Sequence, residues 1–188
     1  MNDVYWQGTG PVFLYIGGEG TLNGPPGNIL FRKIFLCGNQ HSFIHTYIHK
    51  YFHHHFKKNS GGYVSYLGKQ YSALLISVEH RFYGESIPYG NATTENYRYL
   101  TVEQALADLA GFTAFYKSLV PQTADAKWVA FGGSYPGALS SWYRSAYPSL
   151  TVGSLSSSGV VNCIIDYQVL YHQKCSYFME LSVLICPL

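Results

Sequence analysis

One segment of this 188-residue chain constrains the fold more than any other. An apolar, β-prone run at 128–131 passes directly into Gly-Gly-Ser-Tyr-Pro-Gly at 132–137. Residues 136–146 then follow a helical pattern, and a proline is tolerated in the first turn of a helix. A strand that turns sharply into a helix through glycines predicts a nucleophile elbow, which would hold Ser134 exposed above a sheet.

The elbow has a chemical purpose that its small residues serve. A serine hydroxyl is a poor nucleophile at neutral pH, so it needs a neighbouring base and two donors for the developing oxyanion. Gly132 stands two residues before the serine, as G-x-S-x-G requires, but Pro136 replaces the second glycine and Gly137 follows it. The proline crowds the turn, although its fixed φ suits an early helical position.

The rest of the chain alternates strand and helix patterns. Buried-strand patterns also occur at 11–16, 71–78 and 152–158. A helix is predicted at 102–118, where Thr101 at the N-cap and Gln104 three residues later fit a capping box. This alternation predicts an α/β fold with a mostly parallel sheet. The loops that follow the strands, together with Ser134, would then meet at the carboxyl edge of the sheet, where ligands bind.

Composition excludes several classes of protein. Hydrophobic residues make up 47% of the chain and charged residues 12%, which is not the balance of a disordered segment. A net charge of +2 gives no reason to expect a nucleic-acid partner.

We expect no membrane span, because no 18-residue apolar run occurs, and no signal peptide within these residues. Asn91 opens the sequon Asn-Ala-Thr, a candidate glycosylation site.

Four ordered blocks together resemble a known family. They are the Pro-Val-Phe-Leu-Tyr-Ile-Gly-Gly-Glu-Gly run at 11–20, Glu-His-Arg-Phe-Tyr-Gly-Glu-Ser at 79–86, Tyr-Leu-Thr-Val-Glu-Gln-Ala-Leu-Ala-Asp at 99–108, and the elbow. The chain resembles the serine exopeptidases comprising lysosomal Pro-Xaa carboxypeptidase, dipeptidyl peptidase II and thymus-specific serine protease. Gly-Gly-Ser-Tyr-Pro-Gly is a form typical of the thymus-specific branch. The resemblance covers about 4–28 and 62–168.

The resemblance implies a partial α/β-hydrolase fold with nucleophile elbow, the helical cap domain being missing from this chain. It implies a serine-type peptidase acting on peptides as a carboxypeptidase or dipeptidyl-peptidase, with prolyl bonds as candidate targets. No cofactor is implied. Ser134 would be the nucleophile, and Tyr135 and Gly18 would supply the oxyanion N–H groups. Localisation would be lysosomal, vesicular or secreted.

The resemblance also implies what this chain lacks. In the family, the Asp and His of the triad lie further downstream, so we expect a truncated, inactive chain that carries the nucleophile alone. His80 is expected to anchor its loop, and Asp108 to face outward or cap a neighbour. The alternative is a non-catalytic hydrolase-like fragment.

Two segments depart from the family pattern. We predict that 1–28 and 62–168 form the N-terminal part of the peptidase domain. The atypical insert at 29–61 is interpreted as disordered, or as intron-derived or frame-shifted sequence. The atypical tail at 169–188 is interpreted as intron-derived or frame-shifted sequence. Within the insert, histidines recur every fourth position at His41, His45, His49 and His53. A metal-binding segment at 41–55 is therefore a second alternative, but no acidic residue or cysteine completes the set, so no metal site is predicted.

Overall fold

The structure, a computed structural model, describes residues 6–22, 29–31 and 62–162. In these ranges the elements follow in the order β1 (Val12–Ile16), β2 (Ile29–Phe31), α1 (Tyr63–Gln70), β3 (Leu74–Val78), α2 (Val102–Leu119), β4 (Trp128–Gly133), α3 (Tyr135–Ala146) and β5 (Gly153–Ser157). Each strand and helix that the sequence predicts is present, within a few residues of its predicted ends. The sequence pattern does not predict β2 or α1.

The strands of the described ranges form a five-stranded sheet in the order β2-β3-β1-β4-β5. Each neighbouring pair is parallel, and β1 lies at the centre, with Val12 opposite Leu74 on one side and Trp128 on the other. Helix α2 connects β3 to β4, and α3 connects β4 to β5. This arrangement confirms the predicted mostly parallel α/β fold, and it brings the carboxyl ends of β1, β3 and β4 to one edge.

The larger core lies between the sheet and helices α2 and α3. Alternate strand residues point to this side and pack there with residues of both helices, among them Val12, Leu14, Ile76, Leu109, Phe112 and Leu139. Trp128 donates from its indole nitrogen to the carbonyl of Thr123 at 3.0 Å. The buried Tyr143 hydroxyl donates to Thr113 Oγ1 at 2.8 Å, and burial raises the pKa of Tyr143 to about 12. Trp128 and Tyr143 are therefore buried with their polar tips satisfied.

Helix α1 packs on the opposite face of the sheet. Its half-buried Val64 and Leu67 lie against a smaller cluster formed by Phe13, Ala73, Leu75 and Phe131. Gly62 at its N-terminus provides no side-chain cap, and Gly68 lies within it. A Cβ at Gly68 would come within 2.8 Å of a Leu75 methyl group, so the glycine lets the helix lie close to β3. Packing, rather than a local signal, stabilises α1, which is why the sequence pattern misses it.

Helix α2 begins as predicted. The Thr101 hydroxyl oxygen accepts a hydrogen bond from the Gln104 backbone N–H at 3.3 Å, which confirms Thr101 as the N-cap. The Gln104 side chain accepts from the guanidinium of Arg81. The side chain that a capping box would turn back to the N-cap therefore joins α2 to the loop that follows β3.

The same arginine forms a buried ion pair with α2. Arg81 donates from Nε and Nη2 to the two carboxylate oxygens of Asp108, both at 2.7 Å, and from Nη1 to the carbonyl of Tyr99 at 2.8 Å. Asp108 is only 5% exposed. The expectation that Asp108 faces outward or caps a neighbour is therefore wrong. Its partner lies 27 positions earlier in the chain, where a helical pattern cannot reveal it.

We predict that Arg81→Met lowers the free energy of unfolding by about 3–5 kcal/mol, because it leaves the Asp108 carboxylate buried without its partner. Arg98→Met is the matched control. Arg98 is exposed and stacks on Tyr99, so its loss should cost less than about 1 kcal/mol. Urea denaturation of both variants measures the difference, and equal costs would contradict the assignment.

Candidate active site

The backbone turns sharply at Ser134. Strand β4 ends at Gly133 and α3 begins at Tyr135, so a single residue separates extended from helical backbone. Ser134 has φ 60° and ψ −131°, a conformation that non-glycine residues rarely adopt. Its N–H donates to the carbonyl of Ser157 at 2.9 Å, and the residue is exposed. The structure therefore places an exposed serine at a sharp strand-to-helix turn, as the sequence predicts, and adds that its backbone is strained.

The glycine before the turn is required by a close backbone approach. A Cβ at Gly132 would lie 2.0 Å from the carbonyl oxygen of Pro136. A Cβ at Gly137 would lie 3.0 Å from the carbonyl oxygen of Ser157 and from the Cα of Gly159. Gly132 and Gly137 therefore let α3 pack directly against the ends of β4 and β5.

Pro136 takes the place of the glycine expected two residues after the serine. It occupies the first turn of α3 and is buried. Across from it lies Gly18, where a Cβ would come within 3.1 Å of the proline ring. The loop after β1 makes room for the ring at that position, which explains how the departure from G-x-S-x-G is accommodated.

Glu79 organises the loop at the end of β3. The carboxylate is 2% exposed and accepts from Ser86 Oγ at 2.8 Å and from the Glu85 N–H at 3.0 Å. It also accepts from the N–H of Leu22 at 3.1 Å, which joins it to the loop after β1. Gly84 has φ +58°, and a Cβ there would lie 2.0 Å from the carboxylate. The loop therefore closes around Glu79 and fixes the segment that contains Gly18.

His80 contacts the elbow directly. Its Nδ1 lies 2.7 Å from the carbonyl oxygen of Arg81, and its Nε2 lies 3.0 Å from the hydroxyl of Tyr135. A carbonyl only accepts, so Nδ1 carries the proton, and in the neutral ring Nε2 accepts from the tyrosine. His80 therefore anchors its loop, as expected, but it also holds the residue after Ser134.

Burial controls the protonation of this group of side chains. It is the largest cause that lowers the pKa of His80, and the charge of Arg81 acts in the same direction, while the bond to the Arg81 carbonyl and the Glu19 carboxylate oppose the shift. Burial also raises the pKa of Tyr135 to about 12, with further contributions from Tyr83 and Glu19. At neutral pH the imidazole and the phenol are therefore both uncharged.

The described residues give no support to a metal centre. Within 6–22, 29–31 and 62–162, no group of three or more His, Cys, Asp or Glu side chains is placed to hold a metal ion. The predicted histidine segment at 41–55 lies outside the described residues, so that alternative stays a prediction. None of the described helices is long and apolar enough to cross a membrane.

The fold and the turn define a class. A parallel sheet with helical crossovers and a one-residue strand-to-helix turn around an exposed serine is the architecture of the α/β-hydrolases. The family model of the serine carboxypeptidase S28 peptidases matches residues 35–182, more than half of the chain. The chain belongs to this family.

Individual relatives agree with the family model. A serine protease of Caenorhabditis elegans is 37% identical over 168 residues, covering 88% of this chain and 25% of that protein. Human thymus-specific serine protease is 33% identical, with 89% and 26% covered. Human lysosomal Pro-X carboxypeptidase is 31% identical, with 85% and 26% covered. The chain thus spans about a quarter of the length of these relatives.

Gly132→Ala should destabilise the fold, because its Cβ would overlap a backbone carbonyl that cannot move without displacing α3. Overpacking of this kind costs about 1–3 kcal/mol. The adjacent Gly133→Ala is the control, since a Cβ there meets only the Ser157 carbonyl at 3.9 Å, an ordinary contact. Its effect should stay within about 0.5 kcal/mol. Comparable losses in urea denaturation would show that the close approach at Gly132 is absent.

The pH dependence of stability should report the burial of His80. The folded pKa lies below the ordinary value of 6.5, so between these two values the unfolded chain binds more protons than the folded one. Stability should therefore fall as the pH drops below 6.5 towards the pKa of the folded state. Urea denaturation across this range should give a flatter dependence for His80→Gln, and identical curves would contradict the assignment.

Proposed function

We propose that this chain carries the nucleophile and the oxyanion donors of a serine-type exopeptidase. The observation that carries the proposal is the exposed Ser134, held at φ 60° between β4 and α3. The family model and the relatives named serine protease and carboxypeptidase support the same reaction class.

The reaction would be acyl transfer. Ser134 Oγ attacks the carbonyl carbon of a peptide bond, and its proton passes to a histidine base. The tetrahedral intermediate then collapses, the C–N bond breaks, and the amine leaves with the proton. Water repeats the sequence on the acyl-enzyme and releases the acid, so no cofactor takes part.

The oxyanion would accept hydrogen bonds from Tyr135 and Gly18. Tyr135 is the first residue of α3, so its N–H has no intrahelical acceptor and lies at the positive end of the helix dipole. Gly18, in the loop after β1, lies against Pro136 of the first turn of α3. This proximity supports a second donor from that loop. Such donors stabilise the charge that develops in the transition state.

The base and its orienting acid would come from outside the described residues. His80 and Asp108 are the buried candidates nearby, but His80 has both ring nitrogens bonded and Asp108 is paired with Arg81. The described residues would therefore supply the nucleophile and the oxyanion donors, but not the base that activates the nucleophile.

Substrate and location follow from the relatives. Peptides cleaved beside proline are the first substrates to test, because one relative is named Pro-X carboxypeptidase, and either carboxypeptidase or dipeptidyl-peptidase direction fits the chemistry. That relative is also named lysosomal, which supports a lysosomal, vesicular or secreted location.

The exposed Asn91, whose side chain accepts from Asn96, would carry a glycan, and a mass decrease after glycosidase treatment tests this.

The domain division remains a proposal. Residues 1–28 and 62–168 would form the peptidase segment, and 29–61 and 169–188 would derive from intron or frame-shifted sequence. At the start of the insert, residues Ile29–Phe31 form β2, which pairs with β3 at the edge of the described sheet. A transcript that keeps the insert in frame, with matching peptides in mass spectrometry, would overturn the origin proposed for it.

Ser134 should react with a fluorophosphonate probe, which is more electrophilic than a peptide. Ser134→Ala should reduce labelling to background, because the nucleophile is lost. Ser118→Ala is the control: Ser118 is exposed and its hydroxyl donates to the Phe115 carbonyl of the same helix, so labelling should be unchanged. A wild-type chain that labels no faster than Ser134→Ala would instead support the non-catalytic alternative.

A further inference from the structure

Three consecutive polar residues are buried at the end of β3. Glu79, His80 and Arg81 are 2%, 5% and 3% exposed. Burying polar groups costs free energy unless each is hydrogen bonded. Each of the three bonds to a different part of the chain: Glu79 to the loop after β1, His80 to the start of α3, and Arg81 to α2. Of these, His80 reaches the residue whose N–H is the proposed oxyanion donor.

We infer that His80 is a positioning residue for the oxyanion site, acting through the hydrogen bond between its Nε2 and the Tyr135 hydroxyl. The inference rests on the proposed function, because it concerns the Tyr135 N–H as donor. Both ends of Tyr135 are then fixed: its backbone follows the strained Ser134, and its hydroxyl is held 3.0 Å from Nε2.

The surroundings hold the imidazole in one orientation. Nδ1 is bonded to the Arg81 carbonyl at 2.7 Å. The ring packs against the rings of Tyr83 and Tyr135, with centroids 5.2 Å and 5.4 Å away. A ring with one fixed tautomer and two aromatic neighbours can place a tyrosine hydroxyl with little freedom.

Fixing Tyr135 matters because oxyanion donors act only at close distance. Donors must lie about 2.7–3.1 Å from the position of the oxyanion, and removing one costs about 10²–10³-fold in rate. The first residue of a helix has few backbone bonds of its own to hold it. The side-chain bond to His80 therefore supplies a constraint that the backbone at Tyr135 lacks.

Nuclear magnetic resonance of the full chain tests the contact itself. Nitrogen-15 spectra should show His80 with a protonated Nδ1 and a bare Nε2 at neutral pH. The Tyr135 amide signal should move in His80→Leu, but not in Tyr63→Phe, whose hydroxyl belongs to an exposed side chain. A protonated Nε2, or a Tyr135 amide unmoved in His80→Leu, would overturn the inference.

Fluorophosphonate labelling of folded protein tests the consequence. His80→Leu should slow labelling about tenfold or more. His80→Gln keeps an acceptor and should restore most of the rate. Combining His80→Leu with Tyr135→Phe should cost no more than His80→Leu alone, since both remove one bond. A merely structural role would lower unfolding stability without changing this rate, and additive losses would also overturn the inference.

The two proposals fail in different ways. If the wild-type chain does not label above Ser134→Ala, the proposed function is removed for this chain. The spectra then decide whether His80 holds the Tyr135 hydroxyl. Labelling that depends on Ser134 but is unchanged in His80→Leu keeps the proposed function and removes the positioning role.

Discussion

The close approach of β4 to the first turn of α3 is the constraint on which the site depends. At Gly132 the two backbones lie so near that no side chain fits between them. The backbone must therefore change from extended to helical within one residue, and Ser134 takes a positive φ to do so. The bond from Ser134 to Ser157 adds β5 to the same arrangement. Packing of three elements thus imposes a backbone conformation that the serine would not adopt by itself.

The end of β3 fixes what surrounds that turn. Because Glu79, His80 and Arg81 are shielded from water, each hydrogen bond is electrostatically stronger than on the surface and an unpaired group would be costly. Burial therefore both stabilises these contacts and restricts the alternatives to them. These three adjacent side chains fix the positions of the loop after β1, the start of α3 and the first turn of α2 relative to one another.

Local signals in the sequence predict the described strands and α-helices other than β2 and α1, but not the long-range contacts between them. The strand, the glycines and Ser134 are adjacent in the sequence, so their pattern predicts the elbow. Thr101 likewise predicts the start of α2. The expectation for Asp108 is wrong because the burial of Asp108 and its pairing with Arg81 depend on tertiary packing. The room for Pro136 depends on Gly18, more than a hundred positions away in the chain, and α1 depends on Gly68 fitting against Leu75. The roles of Ser134, Tyr135 and Gly18 remain predictions with a fitting geometry.

The placement of β1 at the centre of the sheet has a consequence for biosynthesis. β1 is translated before the strands that flank it, and its ladder is complete only when Trp128 and its neighbours exist. Contacts of such large sequence separation require closure of long loops, which makes parallel sheets slow to form. The apolar β1 therefore emerges from the ribosome unpaired, and its second ladder can form only after β4 has been synthesised.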